Sequence, residues 1–167
     1  GPFSQPGTIN TKIFDLPFGP EVPGAVVEWK AVAPTDVVDL RAMFPGHEQC
    51  VAYLKTTIVV GDETVAALLM GSDDGVKAFL NGEVTYANNV DRGCTRDSDV
   101  APIRLNRGAN TLMLKITQGT SGWEACARLV CIDGKPFQNL HVEAVGKPAA
   151  LPAKDADVPP GKAFHQD

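Results

Sequence analysis

The sequence predicts an all-β protein, and three observations support this prediction. Apolar and polar side chains alternate over several short segments, turn-forming residues separate those segments, and helical periodicity is almost absent. The alternation is clearest at residues 110–118, where Leu112, Leu114 and Ile116 share one face and Met113 lies on the other. A period of two is typical of a strand with one buried face.

The same criterion predicts the remaining strands. Residues 50–60 place Ala52 and Ile58 on one face and Tyr53 on the other. Further strands are predicted at residues 26–32, 64–70, 76–80, 102–105 and 123–131, whereas residues 35–44 are expected to form two helical turns at most. Asn81-Gly82 predicts a hairpin, because both residues tolerate a positive φ. The connections are too short for crossover helices, so the strands are expected to run antiparallel in a sandwich or barrel.

The composition of the chain changes along its length. Residues 1–24 contain scattered proline and glycine without a sustained period, and they are expected to form an irregular N-terminal segment. Residues 25–146 are expected to form the β domain. Residues 147–167 are rich in proline, alanine, lysine and aspartate, which is typical of a linker or tail leading to another domain or an anchor.

Charge and composition exclude several functions. The net charge is −5 and no run of lysine or arginine occurs, which argues against nucleic-acid binding. No apolar stretch approaches the ~18 residues needed to cross a bilayer, so no membrane insertion is expected. The histidines, His47, His141 and His165, are isolated, and no nucleophile elbow or H-E-x-x-H motif is present. We therefore expect no enzymatic activity.

The four cysteines, Cys50, Cys94, Cys126 and Cys131, have no zinc-type spacing. They are expected either to form one or two disulfides in an oxidising compartment or to remain buried thiols. If their two strands were adjacent and antiparallel, Cys50 and Cys131 would face each other. A bond between Cys94 and Cys126 has no support from the pattern, and free thiols are favoured for that pair.

Two segments carry a resemblance to a known family. They are GSDDGVKAFLNG, at residues 71–82, and LNRGANTLMLKITQG, at residues 105–119. This part of the chain resembles the galactose-binding-domain-like β-sandwiches appended to secreted bacterial glycoside hydrolases and related proteins, and it is similar to the PA14 sandwich. The resemblance implies an antiparallel two-sheet β-sandwich of the jelly-roll kind, in a secreted or periplasmic protein. It also implies a non-catalytic accessory module whose partner is a glycan or a neighbouring domain of the same polypeptide.

The sharpest chemical feature is the pair Asp73 and Asp74, because adjacent carboxylates repel each other unless a cation or several N–H groups compensate them. The resemblance to sugar-binding PA14-like adhesins implies that this pair holds a calcium ion that also binds sugar hydroxyls. Calcium takes oxygen ligands, and Asn88, Asn89 and Asp91 are expected to lie near enough to contribute. The alternative is that the two aspartates accept backbone hydrogen bonds and only shape the turn.

Arg92 and Tyr86 complete the predicted ligand-binding set. Arg92 lies in a loop of interleaved charges at residues 88–99, which is either a hydrogen-bonding surface for a polar ligand or a solvated loop held by ion pairs of ~1 kcal/mol or less. Tyr86 is expected to face outward, where a sugar could stack on its ring. Trp29 and Trp123 are in phase with apolar neighbours and are expected to pack. The functional hypothesis is carbohydrate binding, and the alternative is a structural domain that packs on or spaces a neighbouring catalytic domain.

Overall fold

A computed structural model of the chain describes residues 13–33 and 35–144, so residues 1–12 and the predicted tail at 147–167 lie outside the described residues. Nine strands are present in the described ranges: β1 (Val38–Asp39), β2 (Cys50–Val60), β3 (Thr64–Asp73), β4 (Val76–Leu80), β5 (Glu83–Asn88), β6 (Asp99–Leu105), β7 (Gly108–Gln118), β8 (Glu124–Cys131) and β9 (Leu140–Ala144). A short helix, α1 (Leu40–Met43), and a 3-10 turn (Gly19–Glu21) accompany them. No helix in this part of the chain is long and apolar enough to span a membrane.

The strands form two antiparallel sheets, which confirms the predicted two-sheet β-sandwich. One sheet has the order β1-β8-β3-β6 and the other the order β5-β4-β7-β2-β9. The β4–β5 connection is a hairpin within one sheet, while the other connections between consecutive strands cross from sheet to sheet. At this hairpin Asn81 has φ 53° and Gly82 has φ 88°, as the Asn-Gly signal predicts.

The core lies between the two sheets and contains the predicted inward faces. Ile58 on β2, Leu68 on β3 and Ile116 on β7 are buried in one hydrophobic cluster. Trp123, predicted to pack, is also in this cluster and is only 2% exposed. The alternating pattern therefore identified the inward faces of β2 and β7, whereas on β8 Ala127, in phase with Trp123, is exposed.

The strand predicted at residues 26–32 is wrong. These residues pair with no strand, and Val26 at their start is fully exposed. Alternation alone does not make a strand, because a strand also needs a sheet edge with which to hydrogen-bond. The edge beside β2 is occupied by β9, a strand that the sequence did not predict, in the register Val60↔Leu140 to Thr56↔Ala144.

The N-terminal segment covers part of the outer face of the five-stranded sheet. Tyr53, Lys115 and Lys77 form one row across β2, β7 and β4 on that face. Lys115 is completely buried there, and its Nζ donates to the Leu16 carbonyl at 2.6 Å and to Glu21 Oε1 at 2.7 Å. The described part of the segment therefore packs on the sandwich, although its conformation is mostly irregular.

Candidate functional site

The predicted site residues lie at or near one end of the sandwich, which we call the loop end. It contains the connections at residues 40–49, 74–75, 89–98 and 119–123. The residues that follow β3 are tied to the end of β7: the Asp74 N–H donates to the Thr117 carbonyl at 3.0 Å, and the Thr117 N–H donates to the Gly75 carbonyl at 3.0 Å. This tie fixes the position of the aspartate pair relative to both sheets.

Asp74 follows Asp73 through a cis peptide bond and is an internal hydrogen-bond acceptor. Its Oδ1 accepts from the Arg92 N–H at 3.2 Å, and its Oδ2 accepts from the Gly119 N–H at 2.7 Å. The residue is 3% exposed. For Asp74 this geometry corresponds to the turn-shaping alternative, because its carboxylate holds two connecting segments by their backbone.

Three predicted ligand-binding residues converge on Asp99. Tyr86 donates its hydroxyl to Asp99 Oδ1 at 2.5 Å, Asn88 donates Nδ2 to the same oxygen at 2.9 Å, and the Arg92 guanidinium pairs with Oδ2. The expectation that Tyr86 faces outward is therefore wrong, because its side chain packs against the core and its hydroxyl binds a buried carboxylate. Arg92 also donates to the carbonyl and the hydroxyl of Ser72, at 3.2 and 2.9 Å.

The Asp99 carboxylate is stabilised as an anion although its side chain is only 1% exposed. Burial acts to raise the pKa of Asp99, but the hydrogen bonds from Arg92, Tyr86 and Asn88 outweigh it and hold the pKa below its ordinary value. Sequence reasoning did not include Asp99 in the site. A signal was available, since Asp99 is in phase with Ala101 and the other buried residues of β6.

Asp73 has a different environment from Asp74. Its side chain is half-buried, and its register partner on β8 is Glu124. Burial and the negative charges of Asp74, Glu124 and Asp91 raise the pKa of Asp73 to about 6. Asp73 therefore titrates near neutral pH.

The predicted calcium site at Asp73 and Asp74 stays a prediction. Calcium needs six to eight oxygen ligands, and a protein site usually draws several of them from carboxylates. Asp74 is already bonded to two backbone N–H groups, and no three His, Cys, Asp or Glu side chains in the described ranges are grouped so that they could hold a metal ion. Asn89 and Asp91 are exposed on the loop, and nothing in the geometry assigns them a ligand.

A concave surface lies on the outer face of the five-stranded sheet, apart from the loop end, and we call it the groove. Its floor is the cross-strand row of Lys55 on β2, Met113 on β7 and Phe79 on β4. Pro20 borders it, and Trp29, which precedes β1 in the chain, lies beside Lys55, with the Lys55 Nζ 5.4 Å from the ring centroid. Trp29 is half-buried rather than enclosed in the core.

The groove consists of two adjoining depressions that share Pro20, Lys55 and Met113. The depression on the Trp29 side has a volume of about 180 Å³, and the one toward Asn81 and Thr111 has about 410 Å³. The larger volume is in the range of small-molecule sites. Sequence reasoning missed this surface because the Trp29 segment was predicted to be a strand, and only the fold brings it beside β2.

The outer face of the four-stranded sheet carries apolar side chains, together with Arg104 and Arg128 at the positions that pair with Val65 and Leu69. Leu69 on β3 pairs with Val100 on β6, and Ala67 pairs with both Pro102 on β6 and Val130 on β8. Val100 is 55% exposed, and Val65, one position further along this face of β3, is 43% exposed. Contiguous exposed apolar side chains of this kind are typical of interaction surfaces.

The cysteines do not pair as the sequence suggested. Cys50 lies on β2 of the five-stranded sheet opposite Gln118, while Cys131 lies on β8 of the four-stranded sheet opposite Ala66. The proposed facing of Cys50 and Cys131 is therefore wrong, because their strands belong to different sheets. None of the four cysteines forms a disulfide bond in this structure.

Comparison with known proteins identified no relative of this chain. No family model, no curated protein and no solved structure matched it. Any assignment of function therefore depends on the surfaces described above.

Proposed function

We propose that this domain is a non-catalytic accessory module that binds a carbohydrate in the groove, in a secreted or periplasmic protein. The observation that supports this proposal is the combination of the half-buried Trp29 side chain with polar groups on one concave surface. A pyranose ring has an apolar C–H face that stacks on an aromatic ring, and its hydroxyls need hydrogen-bond partners at the edges. Trp29 supplies the first requirement, and Lys55 and Thr111 supply the second.

The lining of the groove favours binding over hydrolysis. Glycoside hydrolysis usually requires two carboxyl groups on either side of the scissile bond. The described residues that line the groove include no aspartate or glutamate. At the loop end, the carboxyl groups of Asp74 and Asp99 serve instead as acceptors in a buried network. A sugar held by Trp29 would therefore meet no acid and no nucleophile.

Calorimetric melting against a panel of soluble oligosaccharides tests the proposal. At a sugar concentration about ten times its Kd, a bound sugar stabilises the native state by about 1.4 kcal/mol, which is visible as a rise in the melting temperature. We expect Trp29→Ala to abolish that rise. Val65→Thr, on the opposite sheet, is the matched control and should retain it. The proposal is wrong if no oligosaccharide shifts the melting temperature of the wild-type protein.

Two further arms of this measurement locate the site. Repeating each titration with calcium and with a chelator tests the predicted involvement of calcium at Asp73 and Asp74. The double variant Asp73→Asn/Asp91→Asn removes two exposed or half-buried carboxylates of the loop end. If the sugar-dependent shift is lost in this double variant but retained in Trp29→Ala, the sugar binds at the loop end, and the proposal of binding in the groove is refuted.

The exposed apolar side chains on the outer face of the four-stranded sheet favour a second function, that of a domain packed against a neighbour in the same polypeptide. Val65, Val100 and Pro102 would lose their exposure in such an interface. Hydrogen exchange of this chain, measured alone and in a polypeptide that also contains the proposed neighbouring domain, tests this function. Added protection along β6, the free edge strand of that sheet, would support it, and identical exchange in both would refute it.

A further inference from the structure

The connection at residues 89–98 passes closely over the outer face of the four-stranded sheet. Gly71 on β3 pairs with Cys126 on β8 in the sheet register. An added Cβ on Gly71 would lie 2.2 Å from the Thr95 carbonyl oxygen and 2.9 Å from the Cys126 Sγ. Because Gly71 has no side chain, the backbone next to Cys94 and the sulfur of Cys126 can both lie in the space above it.

This packing brings two thiols near each other. Cys94 precedes Thr95, whose carbonyl shares the space at Gly71 with the Cys126 sulfur, and both cysteines are half-buried. Cys126 faces away from the core on β8, as its phase predicts, and the connection covers it from outside. Two neighbouring cysteines can form a disulfide when their Cα atoms lie within about 7 Å of each other.

We propose that Cys94 and Cys126 are an oxidisable pair that forms one disulfide within the domain and thereby attaches the 89–98 connection to β8. The oxidant is a disulfide-containing compound or a disulfide-donating oxidoreductase. The thiolate of one cysteine attacks the oxidant disulfide, which gives a mixed disulfide and releases one thiol. The second thiolate attacks the mixed disulfide, the Cys94–Cys126 bond forms, and the second thiol of the oxidant leaves. The two cysteines lose two electrons and two protons, and the oxidant gains both.

The surroundings of the pair control the rate of this reaction. Burial and the neighbouring Cys126, Glu124 and Asp73 raise the pKa of Cys94 to about 12. The attacking species in disulfide exchange is the thiolate, so Cys94 reacts slowly near neutral pH and faster as the pH rises. The disulfide, once formed, closes a loop of roughly 30 residues and should raise the melting temperature by roughly 10 °C.

Incubation of the reduced protein with oxidised glutathione tests the proposal. After acid quenching and alkylation, peptide mapping should find one cross-linked peptide pair containing Cys94 and Cys126, with the protein lighter by two hydrogens. Cys50 and Cys131, which lie on different sheets, are the internal control and should not cross-link to each other. Glutathione adducts that persist on Cys94 or Cys126 without a cross-link, or a cross-link between other cysteines, would overturn the proposal.

The melting temperature provides an independent readout. Oxidation should raise it in the wild-type protein and in the double variant Cys50→Ser/Cys131→Ser, but not in Cys94→Ser or Cys126→Ser. An equal rise in all four proteins would show that the stabilisation comes from elsewhere and would overturn the proposal. Should either single variant fail to fold, the peptide map of the wild-type protein still decides the question.

Discussion

Replacement of Arg92 by methionine tests whether the buried network at the loop end stabilises the sandwich. Methionine retains much of the aliphatic volume of arginine but removes the guanidinium that pairs with Asp99 and binds Ser72. The Asp99 carboxylate then remains inside the protein with two of its three donors, Tyr86 and Asn88.

The expected magnitude follows from burial. Removal of one partner from a buried ion pair costs roughly 3–5 kcal/mol, because the other charge is left without compensation. The Arg92 side chain is 20% exposed, and Asp99 retains two neutral donors, so we expect about 3 kcal/mol at the lower end of that range. A surface ion pair is worth much less. Arg128→Met, which breaks the exposed pair with Asp97, is therefore the matched control and should cost less than ~1 kcal/mol.

The loss should also depend on pH. In the wild-type protein the pKa of Asp99 is lowered, so the stability it contributes is present above the ordinary carboxyl pKa and is lost as the pH falls through the folded-state value. Without Arg92, burial dominates and the pKa of Asp99 rises above its ordinary value. At mildly acidic pH the Asp99 carboxyl of the variant is then protonated, which removes the uncompensated buried charge. The difference in the free energy of unfolding between the two proteins should therefore shrink.

Urea unfolding followed by the fluorescence of the buried Trp123 measures both effects. Unfolding curves of the wild type, Arg92→Met and Arg128→Met near pH 7 and near pH 4.5 give the free energy of unfolding under each condition. The reasoning fails if Arg92→Met costs no more than Arg128→Met, or if its cost is the same at both pH values.

Two further substitutions test other buried charges. The folded-state pKa of Asp73 is raised to about 6, so the wild-type protein loses stability as the pH rises from the ordinary carboxyl pKa through 6. Over this range the free energy of unfolding of Asp73→Asn should increase relative to the wild type by about 1–2 kcal/mol. Denaturation of both proteins across this range measures the difference, and a constant difference would contradict the assignment. Lys115→Met should cost roughly 2–3 kcal/mol, because Glu21 and the Leu16 carbonyl lose a buried donor. Limited proteolysis should then cleave residues 13–24 earlier than in the control Lys30→Met, and equal cleavage would show that Lys115 does not hold the segment.

The sequence predicts the long strands of this fold well because each carries its own signal. Strands β2 and β4 have the predicted bounds, Cys50–Val60 and Val76–Leu80, and the Asn81-Gly82 turn connects β4 to its hairpin partner. The two-residue β1 and the edge strand β9 have no comparable local pattern. Strands β1 and β9 form because they pair with the otherwise free edges of β8 and β2. The position of these edges is set by the tertiary structure and not by the local sequence.

The candidate site was predictable only in part, for a similar reason. The Ser-Asp-Asp-Gly run predicts a hydrogen-bonded turn, and the Asp74 carboxylate accepts hydrogen bonds of this kind. Tyr86 and Asn88 can bind Asp99 because β5 and β6, which belong to different sheets, are connected at the loop end. The buried position of Asp99 was visible in the phase of β6, but its partners were not.

The two surfaces proposed to act in this protein lie on opposite sheets, and this separation has a testable consequence. The groove is built on β2, β4 and β7 of the five-stranded sheet, whereas Cys94 and Cys126 lie on the outside of the four-stranded sheet. The packed core between the two sheets separates the groove from the outside of the four-stranded sheet. Oxidation should therefore raise the melting temperature while leaving the Kd of a groove-bound sugar unchanged. A Kd that changes severalfold on oxidation would mean that the sugar contacts the loop end instead, because the disulfide fixes the connection that carries Asp91 and Arg92.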